Sequence, residues 1–113
     1  MRRDDAVLLD IAEALRRLQA FTEGMDAAAF LADLKTQAAV LHEITIAGEA
    51  AKRLSAGFRE RHAHIPWRRI AGMRDKLIHA YDEVDLQHVW EVIEKDVPQL
   101  RASIQPLLPP QEA

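Results

Sequence analysis

The 113-residue chain contains no cysteine, which excludes disulfide bonds and thiolate metal sites. No apolar run approaches the ~18 residues that a membrane-spanning helix requires, and Asp10 and Glu13 interrupt the apolar start too early for a signal peptide. The sequence also has no glycine-rich phosphate loop, no nucleophile elbow and no internal repeat. We therefore expect a cytoplasmic protein without a membrane segment.

Five histidines are present, but their spacing does not predict a metal site. His62 and His64 stand close together in "HAH", where no third ligand is evident nearby. His42 and His88 fall on predicted helices and are expected to be ordinary packing or surface residues. We predict neither a metal nor a cofactor.

The composition is typical of one compact globular domain. Hydrophobic residues make up 49% and charged residues 29% of the chain, and this length allows one hydrophobic core but not two. We predict a single domain over residues 1–113, with a frayed tail at residues 106–113.

The spacing of apolar residues predicts an all-α fold with almost no strand. Helices are expected over residues 4–23, 34–55, 66–81 and 86–104, joined by short connecting helices into an antiparallel arrangement that resembles a four-helix bundle. Gly48 and the alanines of the second helix would allow close helix packing.

Glycine, proline and one aspartate predict where these helices begin and end. Gly24 should end the first helix and Gly57 the second, whereas Pro66 suits the first turn of the third. Asp85 is a good N-cap for the fourth helix, and Pro98 should kink or break it.

Charge is distributed unevenly, although the net charge is −3. Residues 52–76 hold eight basic and two acidic residues, and residues 82–96 hold six acidic residues and one lysine. A local positive potential can guide a polyanion such as RNA; the alternative is a solvated basic face. Lys52 could join a basic cleft or pair locally with Glu49. The candidate RNA-binding residues are Lys52, Arg53, Arg68, Arg69 and Lys76.

The stretch "RDKLIHAY" combines arginine, histidine and tyrosine. On a helix reaching residue 81, Arg74 would lie in the apolar arc, flanked by Trp67 and Ile78. A charge there must be paired or must line a cleft. One interpretation is an ion pair with a glutamate such as Glu49. The other is a cleft, with copies from a second subunit, where Arg74 holds a phosphate and His79 moves protons.

The neighbours of this pair have alternatives of their own. Asp75 and His79 are four residues apart and can pair. Gly72 permits close approach by a ligand or another backbone. From spacing alone, Tyr81 is expected to be a core ring whose hydroxyl lies near water.

The stretch "RDKLIHAY" fits the R-x4-H-x-Y signature of the HepT-like ribonuclease toxins of the HEPN superfamily. The segments "RRDDAVLLDIAEA", "IAGEAAKRLS", "IPWRRIAGMRDKLIH" and "VDLQHVWEVIEKDVPQL" also resemble that family in order and spacing, up to about residue 108. The resemblance implies a helical HEPN domain that forms a homodimer, with two motifs in one shared cleft. The chain departs from the family where Ala80 and the acids Asp82 and Glu83 follow the histidine.

The resemblance also implies a function. It is that of a metal-independent endoribonuclease, the toxin of a toxin–antitoxin pair, which cleaves RNA by attack of the ribose 2′-hydroxyl on the adjacent phosphate. Arg74 would stabilise the charge on phosphorus, His79 would transfer protons and Asp75 would support them. Tyr81 matches the tyrosine that a nucleotidyltransferase antitoxin modifies with AMP, and the added negative charge would repel RNA.

Two other interpretations stay open. One is a non-catalytic HEPN dimer that binds nucleotide, RNA or a partner nucleotidyltransferase, which the acids after the motif favour. The other is a helical assembly protein in which Arg74 forms a structural ion pair.

Overall fold

Two long helices form the centre of the fold. The structure, a computed structural model, describes residues 3–80 and 83–110, with the backbone alone at residues 78–80. Helices α1 (Arg3–Phe21) and α3 (Leu34–Lys52) have 19 residues each and pack against one another along their lengths. The buried positions of α1 recur every three or four residues, as the apolar pattern predicts: Val7, Leu8, Ile11, Ala14, Leu15 and Leu18.

A capped connector joins these two helices. Gly24 ends the turn after α1 with a φ of 78°, a conformation that glycine adopts without steric cost. Asp26 caps the short helix α2 (Ala27–Leu31) by accepting the Ala29 N–H at 2.8 Å. Asp33 caps α3 by accepting the Thr36 N–H at 3.1 Å.

The second long helix ends earlier than the sequence predicts. Helix α3 stops at Lys52, and Ser55 caps a new helix, α4 (Ala56–Arg61), by accepting the Phe58 N–H at 3.1 Å. Gly57 therefore lies inside α4, and the prediction that it breaks the preceding helix is wrong. The serine cap explains the difference, because it caps a helix that begins at Ala56, one residue before the glycine.

The predicted third helix is divided into several elements. Helix α5 (Trp67–Ala71) ends at Gly72, α6 (Met73–Leu77) follows, and the chain then forms strand β1 (Ile78–Ala80). Strand β1 pairs antiparallel with β2 (Glu83–Val84). The prediction of one continuous helix from residue 66 to residue 81 is therefore wrong. The two strands have only five residues in total, and the predicted all-α fold class is confirmed.

The last helical segment is continuous but not uniform. Helix α7 (Leu86–Glu91) passes through a π-helical turn (Val92–Asp96) into α8 (Val97–Ile104) and a final 3₁₀ turn (Gln105–Leu107). Asp85 caps α7 by accepting the His88 N–H at 3.0 Å, as predicted.

The π-helical turn accommodates Pro98. The Val97 N–H donates to the Val92 carbonyl five residues back, so the helix is already widened where Pro98 follows without an N–H. The predicted kink or break is therefore replaced by a π turn.

The core lies where α1, α3, α5 and the α7–α8 segment meet. Gly48 faces α5 so closely that a Cβ there would lie 3.2 Å from the Ala71 carbonyl oxygen, which confirms the predicted close packing. Within the predicted tail, Leu107 and Leu108 pack against the core, and residues 111–113 lie outside the described part. Of the helices in residues 3–80 and 83–110, none is long and apolar enough to cross a membrane.

Candidate functional site

Arg74 lies on the surface of the short helix α6. Met73 and Leu77 anchor this helix in the core, whereas the Arg74 side chain is 49% exposed and its Nη1 lies 3.5 Å from Asp75 Oδ1. The prediction that Arg74 belongs to the apolar arc is wrong. The guanidinium is open to a ligand in solution.

The error has a local cause. The apolar arc includes Arg74 only if Trp67 and Ile78 flank it on one continuous helix. Trp67 precedes the turn at Gly72, and Ile78 belongs to β1. Neither residue shares a continuous helix with Arg74. Met73 and Leu77 form the buried face of α6, and Arg74 lies outside that face.

Glu49 is not the partner of Arg74. Its Oε1 accepts a hydrogen bond from Lys52 Nζ at 3.3 Å, and both side chains are exposed. The local surface pair is thus the correct interpretation of these two residues, and the structural ion pair between Arg74 and Glu49 is not formed.

The described part of the R-x4-H-x-Y motif runs from helix α6 into strand β1. The Asp85 N–H donates to the Leu77 carbonyl at 3.0 Å, where α6 gives way to β1. His79 is the middle residue of β1, but its side chain lies outside the described residues, as does all of Tyr81. The pairing of Asp75 with His79 and the shared cleft of two subunits therefore stay predictions.

The basic residues of the segment 52–76 occupy different surroundings. Arg53 caps the end of α3 and lies 3.8 Å from Asp10 on α1. Arg69 of α5 forms an ion pair with Asp96 at 2.8 Å. In the part of the chain that the structure describes, neither Arg68 nor Lys76, both exposed, has a carboxylate partner within ion-pair distance.

A groove of about 280 Å³ lies between α5–α6 on one side and the α7–α8 segment on the other; we call it the α6–α8 groove. It brings together Arg69 and Lys76, two of the predicted RNA-binding residues. Lys52, Arg53 and Arg68 are not among the residues that line it. The opposite wall carries polar residues that we did not predict as functional: His88, Asp96, Gln99 and Ser103. In the sequence, their recurrence every three to eight residues along one helical segment indicates that these polar residues share one helix face.

The neighbouring histidines are arranged around an aromatic ring. The His62 ring centroid lies 4.6 Å from that of Phe58 and 6.2 Å from that of His64. Among the described residues, no three His, Asp or Glu side chains come together as a set that could hold a metal ion.

Comparison with known proteins decides the family. The model of the family "Ribonuclease HepT-like" matches residues 11–107. The chain belongs to the HepT-like ribonuclease family. This confirms the resemblance to HepT-like members of the HEPN superfamily, and the match extends from α1 to the final 3₁₀ turn.

Curated relatives agree with this membership. "Probable ribonuclease HepT" of Thermococcus cleftensis is 44% identical over 100 residues, covering 88% of this chain and 91% of that protein. "Putative RNase TTE0752" of Caldanaerobacter subterraneus subsp. tengcongensis is 43% identical over 79 residues, covering 70% of each.

One relative is a longer protein. "Gamma-glutamylcyclotransferase and putative RNase MJ0434" of Methanocaldococcus jannaschii is 41% identical over 105 residues, which cover 92% of this chain but 47% of that protein. The chain thus spans about half the length of this relative. No solved structure matches the chain significantly.

Proposed function

We propose that this protein is a metal-independent endoribonuclease that acts as the toxin of a toxin–antitoxin pair. The observation that carries the proposal is the R-x4-H-x-Y motif in a HepT-like chain, with Arg74 exposed on α6. An exposed guanidinium offers a planar fork of N–H donors to a phosphate. A second copy of the chain would bring a second motif to the same cleft.

The proposed reaction is an internal transfer at phosphorus. The ribose 2′-oxygen forms a bond to the adjacent phosphorus, the bond from phosphorus to the 5′-oxygen breaks, and the products are a 2′,3′-cyclic phosphate and a free 5′-hydroxyl. His79 accepts the proton of the 2′-hydroxyl, and the His79 of the other subunit can supply the proton to the leaving oxygen. Arg74 stabilises the negative charge that develops on the phosphate oxygens.

Asp75 and Tyr81 have supporting and regulatory roles in this proposal. Asp75 lies 3.5 Å from the Arg74 guanidinium, near enough to orient it before substrate arrives. Tyr81 follows His79 by two residues, so an AMP attached by a nucleotidyltransferase antitoxin would place negative charge beside the cleft and repel RNA. The intact mass of protein isolated with that partner, followed by peptide mapping of Tyr81, tests the modification.

The cleavage proposal is tested with purified protein and a single-stranded RNA in the presence of EDTA. We expect products that end in 2′,3′-cyclic phosphate, and a loss of ~100-fold or more in rate for Arg74→Ala and for His79→Ala. Arg17→Ala and His42→Ala are matched controls, because both side chains lie on the surface of other helices. Unchanged cleavage in both motif variants would contradict the assignment of Arg74 and His79.

The acids after the motif favour a second candidate function, a HEPN dimer that binds nucleotide, RNA or a nucleotidyltransferase without cleaving RNA. Glu83 is exposed in β2, next to the motif, where its charge opposes an approaching phosphate. RNA or partner binding without any cyclic phosphate product would support this candidate over the ribonuclease.

A further inference from the structure

The α6–α8 groove lies on a different face of α6 from Arg74. Lys76 lines the groove and follows Arg74 by two residues, a rotation of about 200° around a helix. Arg74 itself does not line it. The groove is therefore separate from the surface on which the proposed cleavage cleft would form.

The polar groups of the groove are arranged along its length. Lys76 and His88 stand near the end of the groove where its walls join, because the Asp85 N–H at the start of one wall donates to the Leu77 carbonyl of the other. Arg69 and Asp96 span the groove further along, at 2.8 Å. Gln99 and Ser103 lie beyond this bridge, because they follow Asp96 along the second wall.

The floor of the groove is apolar. Ile70 and Leu77 are at most 1% exposed, and Met73 and Val92 are 5% exposed. A flat aromatic group laid on these side chains would be removed from water on one face, which is favourable in proportion to the apolar area covered. The sulfur of Met73 would add a favourable contact with an aromatic ring placed there.

The charge of the groove favours an anion. Arg69 neutralises Asp96, so Lys76 supplies a positive charge that no carboxylate in the described part of the chain offsets within ion-pair distance. The His88 imidazole, which lines the same groove, can donate a further hydrogen bond. A ligand that combines an anionic group with a flat, hydrogen-bonding ring matches this arrangement.

We propose that the α6–α8 groove binds one nucleoside phosphate. The phosphate lies at Lys76 and His88, the base covers the apolar floor, and the Gln99 amide or the Ser103 hydroxyl bonds its edge. Resting on the proposed ribonuclease function, we assign the nucleotide to the RNA strand, at a position outside the cleavage site. A free mononucleotide has the same chemistry and provides the probe.

The test uses the full chain and measures binding of AMP, GMP, CMP and UMP by calorimetry and by amide shifts in NMR spectra. We expect shifts at groove residues and a Kd at least ~10-fold weaker for Lys76→Met. Lys95→Met is the matched control: it removes the same charge from an exposed position that does not line the groove. Equal weakening by both variants, or no mononucleotide binding by the wild-type chain, would overturn the proposal.

A second variant tests whether nucleotide binding requires the open space of the groove. Ser103 is exposed, so Ser103→Trp can fill the groove without replacing a core residue. Loss of nucleotide binding with an unchanged melting temperature supports the proposal, whereas unchanged affinity in this folded variant contradicts it. Inorganic phosphate and the nucleosides alone should each bind more weakly than the nucleotide, because each fills only part of the site.

Arg74→Ala separates this inference from the proposed function. Since Arg74 does not line the groove, this variant should lose RNA cleavage and keep mononucleotide binding. If the wild-type chain does not cleave RNA yet binds mononucleotides in the groove, the ribonuclease proposal fails and the groove assignment stands. If RNA is cleaved but the groove amides do not respond to nucleotide or to a non-cleavable oligonucleotide, the groove assignment fails alone.

Discussion

A Cβ placed on Gly48 of α3 would lie 3.2 Å from the carbonyl oxygen of Ala71 at the end of α5. This separation is tighter than ordinary van der Waals contact, and the second atom it meets, the Ile70 carbonyl oxygen at 3.3 Å, is also backbone. The position of α5 therefore depends on the absence of a side chain at residue 48. Because α6 follows α5 directly, the same contact supports Arg74.

Gly48→Val should lower the free energy of unfolding by about 1–3 kcal/mol, because its Cβ meets two backbone carbonyls that cannot rotate away. Urea unfolding measures the change. Gly57→Ala is the matched control: a Cβ there meets only the end of the flexible Arg61 side chain. That substitution within a helix should stabilise the protein by about 0.5–1 kcal/mol. A tolerated valine at residue 48 would contradict the close packing.

The carboxylate of Asp4 ties the start of α1 to the cap of α4. It accepts the Ser55 N–H at 2.8 Å and the Ser55 hydroxyl at 2.7 Å, and the backbone hydrogen bond is the main cause of the lowered pKa of Asp4. The folded state therefore favours the ionised form. Its stabilisation is complete above the unfolded pKa of about 3.9 and is lost as the pH falls through the lower folded pKa.

Asp4→Ala should therefore cost about 1 kcal/mol near neutral pH, and the difference from wild type should shrink below about pH 4. Urea unfolding at pH 6 and at pH 3 measures this. Asp5→Ala is the control on the same turn, since the hydrogen bonds from Ser55 are the two largest causes of the lowered pKa of Asp4. A difference that stays constant with pH would show that the ionised carboxylate does not make the contact.

For two buried polar residues of α3, we predict that substitution by methionine changes the free energy of unfolding in opposite directions. Glu43 is 4% exposed, and within the described residues its Oε1 has no hydrogen-bond partner. Gln37 is 6% exposed and donates to the Phe30 carbonyl at 2.9 Å. Glu43→Met should raise the free energy of unfolding by about 1–3 kcal/mol, because methionine fills a similar volume and has no unsatisfied oxygen.

Gln37→Met should lower the free energy of unfolding by about 1–2 kcal/mol, because it leaves the Phe30 carbonyl without this donor. Thermal melts of the two variants, run together, compare the signs directly. If Glu43→Met destabilises the protein instead, the Glu43 carboxylate has a bonding partner in solution, and a concentration series would show whether a second subunit supplies it.

Two substitutions of Asp85 separate the effect of its charge on RNA binding from the effect of its helix cap on stability. Asparagine caps helices as well as aspartate does, so Asp85→Asn should remove the charge with little loss of stability. Asp85→Ala should cost about 1 kcal/mol, because the His88 N–H loses its acceptor. Both variants should bind RNA more tightly than wild type at low salt, and the gain should fade as the salt concentration rises.

Similar affinity for RNA in wild type and in Asp85→Asn would show that this acid does not oppose the phosphate backbone. Glu83→Gln then provides the comparison, because Glu83 is exposed in β2 and has no part in capping α7.

The caps and the helical periodicity could be predicted from sequence because they depend on neighbouring residues. Asp85 was placed correctly as an N-cap, and Gly48 was placed correctly at a close helix contact, since small side chains on a buried helix face have few other uses. The division of the third helix at Gly72 could not be predicted. A single glycine within a helical pattern is tolerated, and only tertiary packing decides whether the helix continues.

The same limit affected the candidate site. The motif was recognised from residue types, but the exposure of Arg74 depended on where α6 ends and β1 begins. The α6–α8 groove was missed because its walls are 27 residues apart in sequence at the Arg69–Asp96 bridge. No local pattern connects Lys76 with Gln99 or Ser103.

The π-helical turn at Val92–Asp96 can absorb a change in chain length. A wider turn holds about one residue more than an α-helical one, so deleting one residue there would restore a regular α-helix and leave the rotational phase of α8 nearly unchanged. Leu100 and Ile104 would then stay in the core, and Gln99 and Ser103 would stay at the groove. A one-residue difference in length is therefore tolerated better here than within the α-helical segments, and an alignment of related chains should place single-residue gaps at this turn.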